Sequence, residues 1–203
     1  MKQGKLIKKY DSQVQMYEKN LNNQTLAKWR KKILASASGR VLEVGVGAGA
    51  NFLYYNKAKV TEVIGVDFSS EMIKSAKKTA LQTGIPANFI QQDVDKLDMD
   101  RESFDCIVST LTLCSYPNPL QTLNNFNKWC KKDGYVLLLE HGLSTNPLLS
   151  VPQKLIDPLY RKVSGCHCNR DIMKLIEQSK LEIENVEHYW SGIFRLIWAR
   201  PSS

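Results

Sequence analysis

Residues 41–52 read VLEVGVGAGANF, an apolar run that passes straight into glycines at 45, 47 and 49. With Arg40 in front, the run has the length and composition of a buried strand, and ANFLYYNKA behind the glycines reads as a short helix. In a doubly wound sheet the turn from strand to helix lies at the strands' carboxyl ends, where ligands bind. Glycines there let a ligand approach the backbone with no side chain in the way. Alone, the loop is a weak signal. Turn glycines need no ligand, and Gly45-x-Gly47-x-x-Ala50 with Asp67 about 20 residues on also satisfies the loose dinucleotide fingerprint.

Outward from the loop the pattern alternates. VTEVIGVD predicts a second strand ending at Asp67, ANFIQQD a third, FDCIVSTLTLCS a fourth and YVLLLEHG a fifth. Between them, SSEMIKSAKKTALQTG has a serine N-cap at 69 or 70, Glu71 in the first turn and Gly84 as its stop. NPLQTLNNFNKWCKKDG predicts a helix opened by Pro119 and closed at Gly134. The tail predicts helices around residues 151–162 and 170–180, then LEIENVEHYW and GIFRLIWARP as a hairpin with one antiparallel strand at the sheet edge. Strands alternating with helices of this length imply right-handed crossovers, hence an α/β fold with a mostly parallel sheet and helices on both faces.

Composition narrows the class. The chain has 203 residues, 43% apolar and 24% charged, ordinary for one soluble globular domain. No apolar run approaches the roughly 18 residues of a membrane-spanning helix, and the basic start lacks the apolar core of a secretory signal. Five scattered cysteines suit a reducing cytoplasm, the expected location. The net charge of +8 is concentrated: residues 1–40 hold ten Lys/Arg, from Lys2 to Arg40, against Asp11 and Glu18. In the same segment Ile7, Tyr10, Val14, Tyr17 and Leu21 recur at helical steps, and Trp29, Ile33 and Leu34 mark a second helix. Residues 1–38 are therefore expected as a helical lid over the crevice, with the main domain at 39–203. Peripheral contact with an anionic membrane is the sharper reading of the basic helix. No aromatic-interleaved basic stripe calls for a nucleic acid, and no obligate protein partner is evident.

Acidic residues add to the glycine loop. Glu43 lies two residues before Gly45, Asp67 ends the second strand and Asp93 ends the third. One acid at a strand end is an ordinary surface or capping residue. Three on successive strands, beside a glycine loop, suit a nucleoside whose ribose hydroxyls and exocyclic amine need acceptors.

These segments, VLEVGVGAGAN, VIGVD, FIQQDVDKL, FDCIVSTLTLCS and GYVLLLEHG, in this order, resemble the class I S-adenosylmethionine-dependent methyltransferases. The resemblance covers residues 39–142 well and the tail more loosely. TLTLCSYPNP, LEHG and GCHCNRD further resemble the alkyl-thiol methyltransferases of the methyltransferase-like seven type and their bacterial relatives; quinone and phospholipid methyltransferases are more distant cousins. The mammalian members carry an apolar N-terminal anchor where this chain has the basic helix. The resemblance implies a Rossmann-like, seven-stranded sheet and S-adenosyl-L-methionine as cofactor. The implied cofactor-binding set is Tyr17, Glu43, Gly45, Gly47, Gly49, Asn51, Asp67, Phe68, Asp93, Val94 and Thr110. Asp67 would take the ribose hydroxyls and Asp93 the adenine amine, with the adenine between Phe68 and Val94, while Tyr10 and Tyr17 close over the methionyl end.

Methyl transfer from a sulfonium needs little machinery: a nucleophile about 3 Å away and in line, and a place for its proton. His141 in LEHG and His167 in GCHCNRD are the catalytic candidates. Cys166-His167-Cys168 is too tightly spaced for the usual paired zinc motif, so no metal is expected. Cys114 reads as a packed thiol near the crevice. A rim of Leu111, Leu113, Tyr116, Leu148 and Leu149 would favour a small lipophilic acceptor such as a thiol, with a quinone or phospholipid as the alternative. Rivals from other classes are a nicotinamide oxidoreductase and a basic lipid- or RNA-binding module without activity.

Overall fold

The structure, a computed structural model, describes residues 3–21 and 23–202. Met1, Lys2 and Asn22 of the expected lid, and the terminal Ser203, lie outside the described residues. Two helices, α1 (Gln3–Lys19) and α2 (Gln24–Leu34), precede β1 (Gly39–Val44). Then follow β2 (Val60–Asp67), α3 (Ser70–Thr83), β3 (Ala87–Gln91), β4 (Phe104–Thr110), α4 (Pro119–Trp129) and β5 (Cys130–His141). The chain ends with α5 (Pro147–Ser164), α6 (Ile172–Glu177), β6 (Leu181–Tyr189) and β7 (Phe194–Pro201). The seven strands form one sheet in the order β3-β2-β1-β4-β5-β7-β6. β1 to β5 pair in parallel, and β7 runs antiparallel to both β5 and β6.

Period-two alternation sorts the strands' side chains into two cores, one on each face. Leu42 and Val44 join Phe104, Phe126, Trp129 and Leu138 on one side. Val41 joins Trp29, Ile33, Leu34, Phe52 and Val63 on the other. Helix α2 is thus part of the core, its Ile33 and Leu34 fully buried. Local chemistry sets the helix ends. Ser69 accepts from Met72 N at 3.1 Å to start α3, and Gly84, at φ 66°, ends it in the left-handed region. Among the described residues no helix is long and apolar enough to cross a membrane.

Three elements depart from the sequence reading. ANFLYYNKA makes only one 3-10 turn, Ala50–Leu53, because Asn51 and Tyr55 are drawn inward to bond Glu43. Helix α4 stops at Trp129 rather than Gly134: Cys130 pairs with Phe104 and opens β5, the register shifting before Tyr135 joins Cys106. β4 ends at Thr110, and Leu111 turns into the positive-φ region at 60°.

Candidate functional site

At the carboxyl ends of β1, β2, β4 and β5 lies a cavity of about 790 Å³. Gly45 is left-handed at φ 73°, and a Cβ there would stand 2.3 Å from Thr112 Cγ2, so only glycine lets the loop and the 111–116 segment meet. Asp67 ends β2 and braces the loop, one oxygen accepting from Gly47 N at 3.0 Å and the other from Ser69 N at 2.9 Å. Burial nonetheless pushes the Asp67 carboxyl up to about 6.

Behind the loop sits a buried polar network. Glu43 accepts from Asn51 Nδ2 at 2.9 Å and from Tyr55 Oη at 2.7 Å. Asn51 Nδ2 also reaches Thr110 Oγ1 at 3.1 Å, and Asn51 Oδ1 accepts from Arg30 Nε at 2.9 Å. Burial pushes the Glu43 carboxyl up to about 7, against the pull of these donors and the Arg30 charge. Arg30, buried on α2, lines the cavity and was not in the expected set; its place beside Lys31 and Lys32 hid it among solvated charges. Tyr116, expected on the acceptor rim, stands against the glycine loop instead. Its Oη is buried in the cavity wall with no hydrogen-bond partner of good geometry among the described residues, although Thr112 lies beside it.

Phe68, Asp93 and Val94 line one end of the cavity. Asp93 lies two residues past β3, where it caps a 3-10 turn by accepting from Asp95 N at 3.2 Å. Tyr10 and Tyr17 of α1 cross the cavity from this end toward Cys114 and Cys166, the Tyr10 ring meeting Phe68 edge-on at 5.4 Å. Hydrogen bonds from Ser69 to Asp11 at 2.5 Å and from Ser75 to Glu18 at 2.8 Å fasten α1 to α3. Gly49 does not line the cavity; it packs on α3, where a Cβ would come within 3.0 Å of Ala76 Cα.

The other end gathers His141, Cys114, Cys166, Tyr160 and the aromatic pair Trp190 and Phe194. His141 Nε2 lies 3.9 Å from Cys166 Sγ. The donor atoms of Cys114, His141 and Cys166 all lie within 4.8 Å of one another, a soft-ligand set with the donor types of a metal site. The motif GCHCNRD splits in space. Cys166 turns into the cavity, whereas His167 turns away from it and puts Nδ1 2.8 Å from Asp157 Oδ2 of α5. Cys168 N donates to Asp157 Oδ1 at 2.8 Å. The two catalytic candidates therefore part company: His141 borders the cavity and His167 does not. Buried Glu140 accepts from Thr112 N and Leu113 N, and Arg170 donates to Leu113 O and Tyr116 O at 2.6 Å each, so the 111–116 wall is held from two sides. Of the expected rim, Leu111 and Tyr116 line the cavity, Leu113 is buried behind it, and Leu148 and Leu149 face outward.

Residues 42–138 match the family described as "Methyltransferase domain". The chain is 32% identical to a phosphatidylethanolamine N-methyltransferase of Cereibacter sphaeroides over 71% of each protein. It is 29% identical to the mitochondrial methyltransferase OMS1 of Saccharomyces cerevisiae over 86% of this chain, and spans only 41% of that longer protein. With the thiol S-methyltransferase TMT1B of Rattus norvegicus it shares 29% identity over 74% of this chain and 62% of the relative. In fold it is similar to an S-adenosylmethionine-dependent methyltransferase of Mesorhizobium loti, with a TM-score of 0.70 at 19% identity over 89% of this chain and 99% of the other. A glycine loop and strand-end acids around one cavity, on this sheet and with these relatives, mean that the chain belongs to the class I S-adenosylmethionine-dependent methyltransferases.

Proposed function

We propose that the protein transfers the methyl group of S-adenosylmethionine to a small lipophilic acceptor, at the sulfur of a thiol. One observation carries the reading: a single cavity joins the Gly45, Asp67 and Asp93 end to the Cys114, His141 and Cys166 end. The residues present fit the cofactor. Arg30 and the loop amides suit its carboxylate, Asp67 its ribose hydroxyls, Asp93 its adenine amine, and Phe68 with Val94 the adenine faces. The unpartnered Tyr116 Oη supplies a buried donor beside Gly45, where a ligand's polar atom satisfies it. When bound, the cofactor supplies a methyl group on a positive sulfur. An acceptor methylated there would have to give up its proton. His141, with Cys166 beside it, borders the acceptor end and is able to take that proton. Apolar walls and the α1 cover keep water from competing.

A second acceptor class is a phospholipid amine, favoured by the 32% identical relative named for phosphatidylethanolamine, or a quinol, favoured by a 30% identical relative named for ubiquinone/menaquinone biosynthesis. The test is a methyl-transfer screen with thiols, quinols, amines and phospholipids, run beside binding of S-adenosylhomocysteine and of NADH. Turnover of a thiol is the expected result. Turnover of a quinol or phospholipid with no thiol accepted would move the protein to the second class. Binding of NADH with no affinity for S-adenosylhomocysteine would overturn the cofactor.

A further inference from the structure

Helix α5 is amphipathic in the wrong sense for a helix that covers a core. Its inward face is polar. Asp157, 6% exposed, holds the 166–168 segment, and Gln153 bonds Ser144 N, Gly142 O and Cys168 O. Its outward face is apolar: Leu148, Val151, Leu155, Ile156, Leu159 and Val163 are all exposed, Leu148 by 82% and Leu155 by 77%. At about 100° per residue these six fall within roughly 140° of arc. Exposed Lys154 and Arg161 run along one border, exposed Lys162 falls within the arc at its C-terminal end, and the helix's acid, Asp157, points inward. The C-terminal end of α5 meets α1: Lys9 donates to Lys162 O, and a Cβ on Gly165 would touch Leu6 at 3.3 Å and Tyr10 at 3.4 Å. Lys5 and Lys8 of α1 are also exposed. At the other end, Thr145 N donates to Ser191 O at 3.0 Å, which brings the 61% exposed Trp190 to the foot of α5.

An apolar helical stripe with a basic border and an exposed tryptophan is the composition of a helix lying in a lipid headgroup layer. A second copy is a poor occupant, because a two-fold pairing on this ridge would bring the basic borders of two +8 chains together. We propose that the outer face of α5, flanked by the lysines of α1, docks the protein on an anionic lipid surface. The cavity is lined by Tyr160 and Ser164 of the same helix and by Leu6 and Ile7 of α1, so docking sets its mouth at the lipid boundary. The proposal stands on exposure and charge, and holds whichever acceptor is methylated.

The test floats the full chain with vesicles containing phosphatidylglycerol and with vesicles of phosphatidylcholine alone. Wild type is expected to float with the anionic vesicles, less so as salt rises, and the Leu155→Ser/Leu159→Ser variant to lose at least tenfold in binding. Neither residue lines the cavity, so S-adenosylhomocysteine affinity and circular dichroism should match wild type and verify folding. Lys154→Glu/Arg161→Glu should abolish the preference for anionic lipid. Absence of wild-type flotation, or flotation unaffected by either variant, would overturn the proposal. So would a wild-type dimer in light scattering that Leu155→Ser/Leu159→Ser converts to monomer, which would assign the ridge to self-association.

Discussion

His141 Nε2 and Cys166 Sγ, 3.9 Å apart, put an imidazole and a thiol from distant parts of the chain against one cavity. The Cys114 thiol first, then His141 and Ser164, draw the Cys166 thiol well below its usual range, whereas burial pushes Cys106, Cys130 and Cys168 up. Cys166 should therefore be the thiolate at neutral pH. Iodoacetamide at pH 6 is expected to label it about tenfold or more ahead of the others, as read by peptide mass spectrometry. His141→Ala should slow that labelling. Faster labelling of Cys130 or Cys168 would refute the assignment.

Glu43 makes stability depend on pH in an unusual direction. Its carboxyl titrates near 7 when folded and near 4.5 when unfolded. Between those values the folded chain holds a proton that the unfolded chain has released. Stability from this group is thus complete below pH 4.5 and declines as pH rises to 7, by about 3 kcal/mol. Glu140, also pushed up to about 7, adds a loss of the same sign. Urea midpoints at pH 5 and pH 7.5 should therefore fall less in Glu43→Gln than in wild type. An identical fall in both would show that Glu43 does not titrate in this range.

Asp67→Ala should weaken S-adenosylhomocysteine binding by about 1.5–3 kcal/mol, the scale of lost hydrogen bonds to a charged group. Because the Asp67 carboxyl titrates near 6, wild-type affinity should also decline as pH falls below 6, and the variant's should not. Calorimetry at pH 5 and pH 7.5 measures both effects. Unchanged affinity in Asp67→Ala would take the ribose contact away from this residue.

The cover over the cofactor end can be tested by cutting only α1. Trp29, Ile33 and Leu34 are core residues, so a truncation running past them would unfold the domain. A chain starting at Asn23 should fold and lose cofactor affinity at least fivefold. Tyr10→Ala, which removes the edge contact to Phe68, should lose about 1 kcal/mol. If the truncated chain binds and turns over like wild type, α1 is not a lid.

The glycine loop, the strand-end acids and the helix caps were legible because each depends on a few adjacent residues. What failed depends on contacts far apart in sequence. KWCKKDG is compatible with a helix, and only the pairing of Cys130 with Phe104 makes its second half a strand. Leu148 and Leu149, expected on the rim, face outward because the inward needs of Ser144, Gly142 and Cys168 claim Gln153 and Asp157. Arg30 and the meeting of Cys114 with Cys166 carry no local signature. They become visible when α2, the 111–116 wall and the 165–170 segment close on one cavity.

Sequence order and sheet order part at the antiparallel edge of the sheet. β7 lies between β5 and β6, so β6 emerges from synthesis with its future neighbour still unmade, and β5 keeps an open side. Both wait for residues 194–201, and closing that gap joins Leu138 to Ile197 and Val186 to Ile197 in one step. Until β7 has emerged and docked, the nascent chain exposes one side of β5 and both edges of β6, the kind of surface that aggregates or recruits chaperones. A chain cut after Ile193 would remain in that state permanently, with the glycine loop intact and the sheet unfinished.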